Sequence, residues 1–210
     1  MADHELAAEA YVYGFPLVFD LSEVQTFTRE GMGSLAAAPF NRFSHATQLA
    51  GPADRFVSVN NDTVYSIAQL DLGAGPLLLD VPAAGDRYHV LQFVDAWTDN
   101  FAYVGTRATG NGPGRYLLTP PDWDGEVPAG TTRIAVPTRV ATIVGRWACD
   151  GPADLPAVAR LQEQLRLSPH DAGPGPGPDT DSTSAEGIIV CSTTSASSVW
   201  ESPSSSALSE

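Results

Sequence analysis

From Arg55 onward the chain breaks into short β-prone runs separated by clusters of glycine, proline and aspartate, which restricts it to a few all-β architectures. The runs are 56–59, 64–72, 76–81, 88–94, 101–106, 115–119, 132–136 and 140–147. Along the second, Val64, Ser66, Ala68, Leu70 and Leu72 share a largely apolar face, while Tyr65, Gln69 and Asp71 fall on the other with Ile67. That alternation predicts a half-buried antiparallel strand. Residues 88–94 are apolar on both faces and predict a central strand. Residues 83–86 and 110–114 can reverse the chain without strain. The expectation is a mainly β fold, an antiparallel sandwich.

Helices are expected at both ends of the β region. Leu6, Ala10, Tyr13, Leu17, Leu21, Val24 and Phe27 recur at steps of three and four and line one helical face. Pro16 cannot donate to the Val12 carbonyl and Gly14 weakens the same turn, so a kink or two abutting helices is expected. Tyr11, Tyr13 and Phe15 read as packing against a sheet. At the other end Asp154 reads as an N-cap with Pro156 in the first turn. Leu155, Val158, Leu161 and Leu165 follow on one side, and Ser168 and Pro169 stop the helix. The organisation is thus a helical segment at 1–40, a sandwich with its closing helix at 41–167, and a tail at 168–210. That tail holds 12 of the 17 serines and no basic residue. Glycine, proline, serine and threonine make up 25 of its 43 residues, too little apolar content for a core. It reads as disordered, or equally as translation of a wrong frame, because the composition changes abruptly.

Charge and composition exclude several chemistries. Acidic residues outnumber basic ones 25 to 11, for a formal charge of −14, and every basic residue is arginine. No nucleic-acid grip by phosphate neutralisation and no polybasic membrane anchor is expected. Without lysine there is no Schiff-base chemistry and no lysine-bearing phosphate loop. Cys149 and Cys191 are too few for a disulfide scaffold, and no zinc-ligand spacing is present. No serine occurs between Ile67 and Leu167, and no nucleophile elbow is found. No glycine-rich loop joins a strand to a helix, so no nucleotide cofactor is expected. The acidic start and the absence of a membrane-length apolar stretch predict a cytoplasmic protein.

Two polar clusters remain. Asn60, Asn61, Asp62 and Thr63, followed by Tyr65, lie between apolar runs; Asp95, Thr98, Asp99 and Asn100, then Tyr103 and Arg107, form the second. Such residues either bond their own backbone or present donors and acceptors to a ligand. If both loops share one rim, Asp62 and Asp95 form a carboxylate pair suited to acid–base work or a hard cation. His45, after Arg42, is the best candidate base because imidazole titrates near neutrality, although a lone histidine is more often structural. His89, within a strand, reads as a core or surface residue, and Cys149 as a buried inert thiol.

The strings YVYGFPLV (11–18), NRFSHA (41–46), VNNDTVYS (59–66), LDLGAGPLLLDV (70–81) and RYHVLQFVDAWTDNFAYVGTR (87–107) closely resemble the family catalogued as domain of unknown function 1254. The resemblance runs from about residue 6 to about residue 167. It implies an immunoglobulin-like β-sandwich behind a helical segment, commonly continued into a second β-rich domain, domain of unknown function 1214. It carries no established reaction. The positions it carries over are Asn41, Arg42, His45, Asn60, Asn61, Asp62, Thr63, Tyr65, Asp95, Thr98, Asn100, Tyr103, Gly105, Thr106 and Arg107. After Leu167 the pattern is lost. An inter-domain site would then be incomplete, and uncovered apolar surface would favour self-association. Three functions stay open: a small polar ligand bound by the Asn60 and Asp95 loops; a hydrolase- or lyase-like enzyme using His45 or Asp62 with Asp95; and a truncated or frameshifted product without function.

Overall fold

The computed structural model describes residues 2–52, 54 and 60–170. The run at 56–59, residues 171–210 and Cys191 lie outside the described residues. Helix α1 (Ala2–Glu30) is followed by β1 (Arg42–His45), β2 (Thr63–Asp71), β3 (Leu77–Val81), β4 (His89–Asp95), β5 (Asn100–Gly105), β6 (Gly114–Thr119), β7 (Thr132–Ala135) and β8 (Val140–Ala148). A 3-10 turn at Pro152–Asp154, helix α2 (Leu155–Gln162) and β9 (Arg166–Pro169) complete the order.

The strands form two open sheets, ordered β1-β2-β8-β4-β5 and β7-β6-β3-β9. All pairs are antiparallel except β6 with β7. Their facing sides share one hydrophobic core, in which Leu70, Leu91, Phe93, Ile143 and Trp147 of the larger sheet meet Leu79, Tyr116 and Leu118 of the smaller. Strand β4 lies between β8 and β5, the interior position its apolar sequence predicts.

Several expectations need correction. Strands β1 and β9 were not foreseen. Their short polar sequences, RFSH and RLSP, carry no alternating pattern, and backbone pairing to β2 and β3 holds them in place. The Ser168 and Pro169 expected to stop the helix instead lie within β9, and α2 already ends at Gln162. Strand β2 is covered on both faces, with Ile67 4% and Gln69 6% exposed, because the C-terminal half of α1 lies over the side expected to face water. Helix α1 is one helix that includes Pro16. Its Tyr11, Tyr13 and Phe15 are not packed into a sheet; they are 69%, 74% and 49% exposed.

Asp154 does occupy the N-cap position of α2, yet its carboxylate makes no cap bond. Arg87 takes it in a two-pronged pair, Nη2 to Oδ1 at 2.7 Å, and the Asp150 N–H adds a third bond at 3.0 Å. The fork geometry of a guanidinium outcompetes a single backbone donor. That pairing, chiefly the Arg87 hydrogen bond, depresses the Asp154 carboxyl to about 2.

Candidate functional site

Strand parity divides the candidate residues between the two faces of the five-stranded sheet. Val64, Ser66, His45, His89 and Trp147 point inward; Tyr65, Ile67, Gln69, Gln92, Tyr103, Thr142, Val144 and Arg146 point outward.

On the inner face, His45 belongs to a closed polar network. Ser66 Oγ accepts the Trp147 indole N–H at 3.1 Å and a Gln162 amide N–H at 3.2 Å. Both partners can only donate, so the one Ser66 proton goes to His45 Nδ1, 2.8 Å away. This assigns His45 as the neutral Nε2–H tautomer, and burial lowers its pKa in the same direction. Ser66 has no exposed surface, so it cannot be reached as a nucleophile. His45 is thus tied to the network through Nδ1, its ring only partly buried. His89 is buried and stacked on Trp147, with ring centroids 5.0 Å apart, as a core residue. Cys149 is a buried free thiol whose pKa burial raises.

The Asp62–Asp95 pair does not form. Strands β2 and β4 are both antiparallel to β8, so they run the same way, and a loop before one and a turn after the other emerge at opposite ends. The Asp62 carbonyl bonds to Cys149, whereas Asp95 faces Ala141. Eight residues of β8 separate those positions, about 26 Å at strand rise. Asp95 Oδ1 accepts the N–H groups of Trp97 and Asp99 at 2.9 and 3.0 Å, closing its own turn. Asn60 likewise donates its N–H to the Tyr65 hydroxyl at 3.0 Å, while Asn61 and Asp62 are exposed and Thr63 is buried. The Asp95 cluster folds on itself, while in the first cluster only Asn60 is tied back, to Tyr65.

The outer face is different. Helix α1 spans it and leaves a cleft of about 440 Å³. Val24 and Phe27 of the helix and Ile67, Val94 and Val144 of the sheet make the apolar walls; Gln69, Gln92, Thr142, Arg146 and Asp20 supply polar groups. A second hollow adjoins it through the shared Gln92 and Arg146, and takes in Tyr88, Tyr103 and Arg107. Arg146 donates to Gln92 Oε1 at 3.1 Å and lies over the Tyr65 ring; Gln92 in turn donates to Asn100. Arg107 lies over Tyr88, 5.5 Å from the ring centroid. Among the described residues neither arginine makes an ion pair, whereas Arg87, Arg115 and Arg139 each hold an aspartate.

Four residues expected to touch a ligand therefore gather on this face: Tyr65, Asn100, Tyr103 and Arg107. Arg42 is exposed on the edge strand β1, opposite Gln69 and outside both hollows. The sequence reading missed Arg146, Gln92 and Asp20. Each had a signal: a charge inside the apolar strand β8, an amide inside β4, and one acid between Leu17 and Leu21. Burial, then the nearby charges of Asp95 and Glu23, raise the Asp20 carboxyl to about 6.

Comparison with solved structures agrees with this architecture. The crystal structure of the VPA0106 protein from Vibrio parahaemolyticus matches 86% of this chain at 23% identity with a TM-score of 0.64, which bears on the fold alone. The chain spans only 43% of the length of that protein. An uncharacterized protein from Burkholderia cenocepacia matches 57% of this chain, and 32% of its own, at 16% identity and a TM-score of 0.36. No curated protein matches the chain. Residues 40–169, the stretch that builds both sheets, match the family described as "Protein of unknown function (DUF1254)", and the chain belongs to that family.

Proposed function

We propose that the domain binds a small amphiphilic carboxylate, its apolar body between α1 and the outer sheet face and its anionic head on Arg146. The observation that carries this is Arg146 itself: a guanidinium without an ion pair among the described residues, at the wall shared by an apolar cleft and a polar hollow. A volume of about 440 Å³ is in the range of small-molecule sites, and a few convergent polar groups on apolar walls are their usual composition. Arg107, Tyr103 and Asn100 line or reach the polar side, so the ligand-binding role expected of them moves from the loops to this face.

Octanoate and 3-phenylpropionate, with 1-octanol as the uncharged control, test the reading by thermal denaturation. A specific carboxylate at a hundred times its dissociation constant adds about 2.7 kcal/mol. Arg146→Met, which keeps the apolar stem, should abolish the advantage of octanoate over octanol. No shift with either acid, or a shift that Arg146→Met leaves intact, overturns it.

A second reading, an acid–base enzyme, is favoured by Asp20, whose carboxyl titrates near 6 inside the cleft. It requires turnover that Asp20→Asn removes while octanoate still binds. The immunoglobulin-like form of the two layers and a cytoplasmic location belong to the proposal as well. Two sheets around one core support the first; an experimental structure with orthogonal sheets would remove it.

A further inference from the structure

Helix α1 has two apolar faces, and the sheet uses only one. At about 100° per residue, Tyr13, Asp20, Val24 and Phe27 share an arc of about 60°. The C-terminal part of this arc meets the sheet, where Val24 and Phe27 are buried; Tyr13, largely exposed, tilts against Trp97 in the turn after β4, with ring centroids 5.2 Å apart. Tyr11, Val12, Phe15, Val18 and Phe19 form a second arc centred about 150° away. Its members are 69%, 70%, 49%, 65% and 53% exposed. Tyr11, Phe15 and Phe19 touch in sequence, at 5.8 and 5.7 Å between ring centroids, as one continuous aromatic ridge. A helix apolar on both sides is a buried helix, so the ridge needs a cover.

We propose that the cover is the same ridge on a second copy of this chain, crossing antiparallel at Phe15. Two features of the sequence point to self-pairing. The ridge is symmetric about residue 15: Tyr11 matches Phe19 and Val12 matches Val18, so a two-fold axis at Phe15 sets aromatic on aromatic and valine on valine. The charges also fit the same operation. Pairing residue i with residue 30 − i places Glu5 opposite Gln25, Glu9 opposite Leu21 and Glu23 opposite Ala7, so no carboxylate meets another. Arg29, in the last turn, comes beside Asp3 and Glu5 in the first turn of the other copy. A parallel pairing would align every acid with itself. Three aromatics and two valines bury on the order of 500–600 Å² per helix, just over 1,000 Å² together, enough for a specific though modest interface.

This inference is independent of the ligand reading, because the ridge faces away from the cleft. Its test is the mass in solution of the intact chain, by light scattering after gel filtration between about 1 and 100 µM. The expected result is a concentration-dependent dimer, twice the 22.1 kDa of the monomer. Phe15→Glu should return it to monomer without changing the far-ultraviolet circular dichroism. Val18→Glu, at a more exposed position, gives the same readout should Phe15→Glu not fold. Arg29→Glu should weaken the dimer several-fold, and Glu5→Arg added to it should restore affinity, a rescue that non-specific apolar association does not give. A monomer at 100 µM overturns self-pairing, whatever else the ridge captures. So does a dimer that survives both ridge substitutions, or one that the charge swap fails to restore.

Discussion

Adjacent residues of the same strands meet opposite fates on the two faces of the five-stranded sheet. Trp147 and Ser66 point into the core and Arg146 and Tyr65 point out of it, one step along β8 and β2. On the inner side the polar groups around Ser66 are used up against each other, while the buried His89 Nδ1 has no partner among the described residues. Ser66 accepts two bonds and gives one, and Gln162 reaches the Ala46 and Tyr65 carbonyls as well as Ser66. On the outer side Arg146 carries five N–H donors, and among the described residues one of its nitrogens bonds Gln92. Polar residues of similar type thus hold the core together around Ser66, while Arg146 keeps donors free for the proposed ligand.

The widest separation between the faces is expected for Trp147→Ala. It removes the largest fully buried side chain, the stacking partner of His89, and should cost about 3–5 kcal/mol in urea unfolding. Arg146→Met, the next residue, should change stability by less than about 1 kcal/mol while removing octanoate binding. Ser66→Ala comes second. It deprives the Trp147 indole of its acceptor and leaves a buried donor unpaired, at about 1–3 kcal/mol. If Arg146→Met destabilises as much as Ser66→Ala, the contrast between the faces is lost.

How far the sequence shows this depends on what carries the information. Strands β2 to β8 are legible because their sequences alternate or run apolar, the edge strands β5 and β7 included. Strands β1 and β9 are not, because four-residue, largely polar RFSH and RLSP impose no pattern and only backbone pairing to β2 and β3 places them. The candidate site fails for a related reason. That Asp62 and Asp95 lie at opposite ends follows from β8 inserting between β2 and β4, whose paired residues are 69 to 85 positions away from β2 and 46 to 58 from β4, a pairing no local pattern announces. The outer-face group of Tyr65, Tyr103 and Arg146 follows from strand parity, which was readable, combined with register, which was not. The aromatic run Tyr11, Tyr13 and Phe15 was read as core because apolar residues normally are. Its exposure is informative because it breaks that rule.

The smallest effect expected is that of Asp20, and it tests whether the outer face is a poised surface or merely a covered one. Burial on the sheet-facing side of α1, then the nearby Asp95 and Glu23 charges, lifts its carboxyl from 3.8 to about 6. The folded state therefore favours the protonated acid. Its contribution is fully present below pH 3.8 and is lost as the pH rises through about 6. Asp20 is half-buried, so solvent screening reduces the penalty of the charged form to about 1 kcal/mol. Asp20→Asn should accordingly be about 1 kcal/mol more stable than the parent at pH 8 and no more stable below pH 3.8, by urea unfolding at each pH. A bound carboxylate adds a like charge to the same cleft, so octanoate affinity should fall as the pH passes 6 in the parent and stay level in Asp20→Asn. Equal slopes in the two proteins would place Asp20 outside the field of the ligand and confine recognition to the Arg107 side.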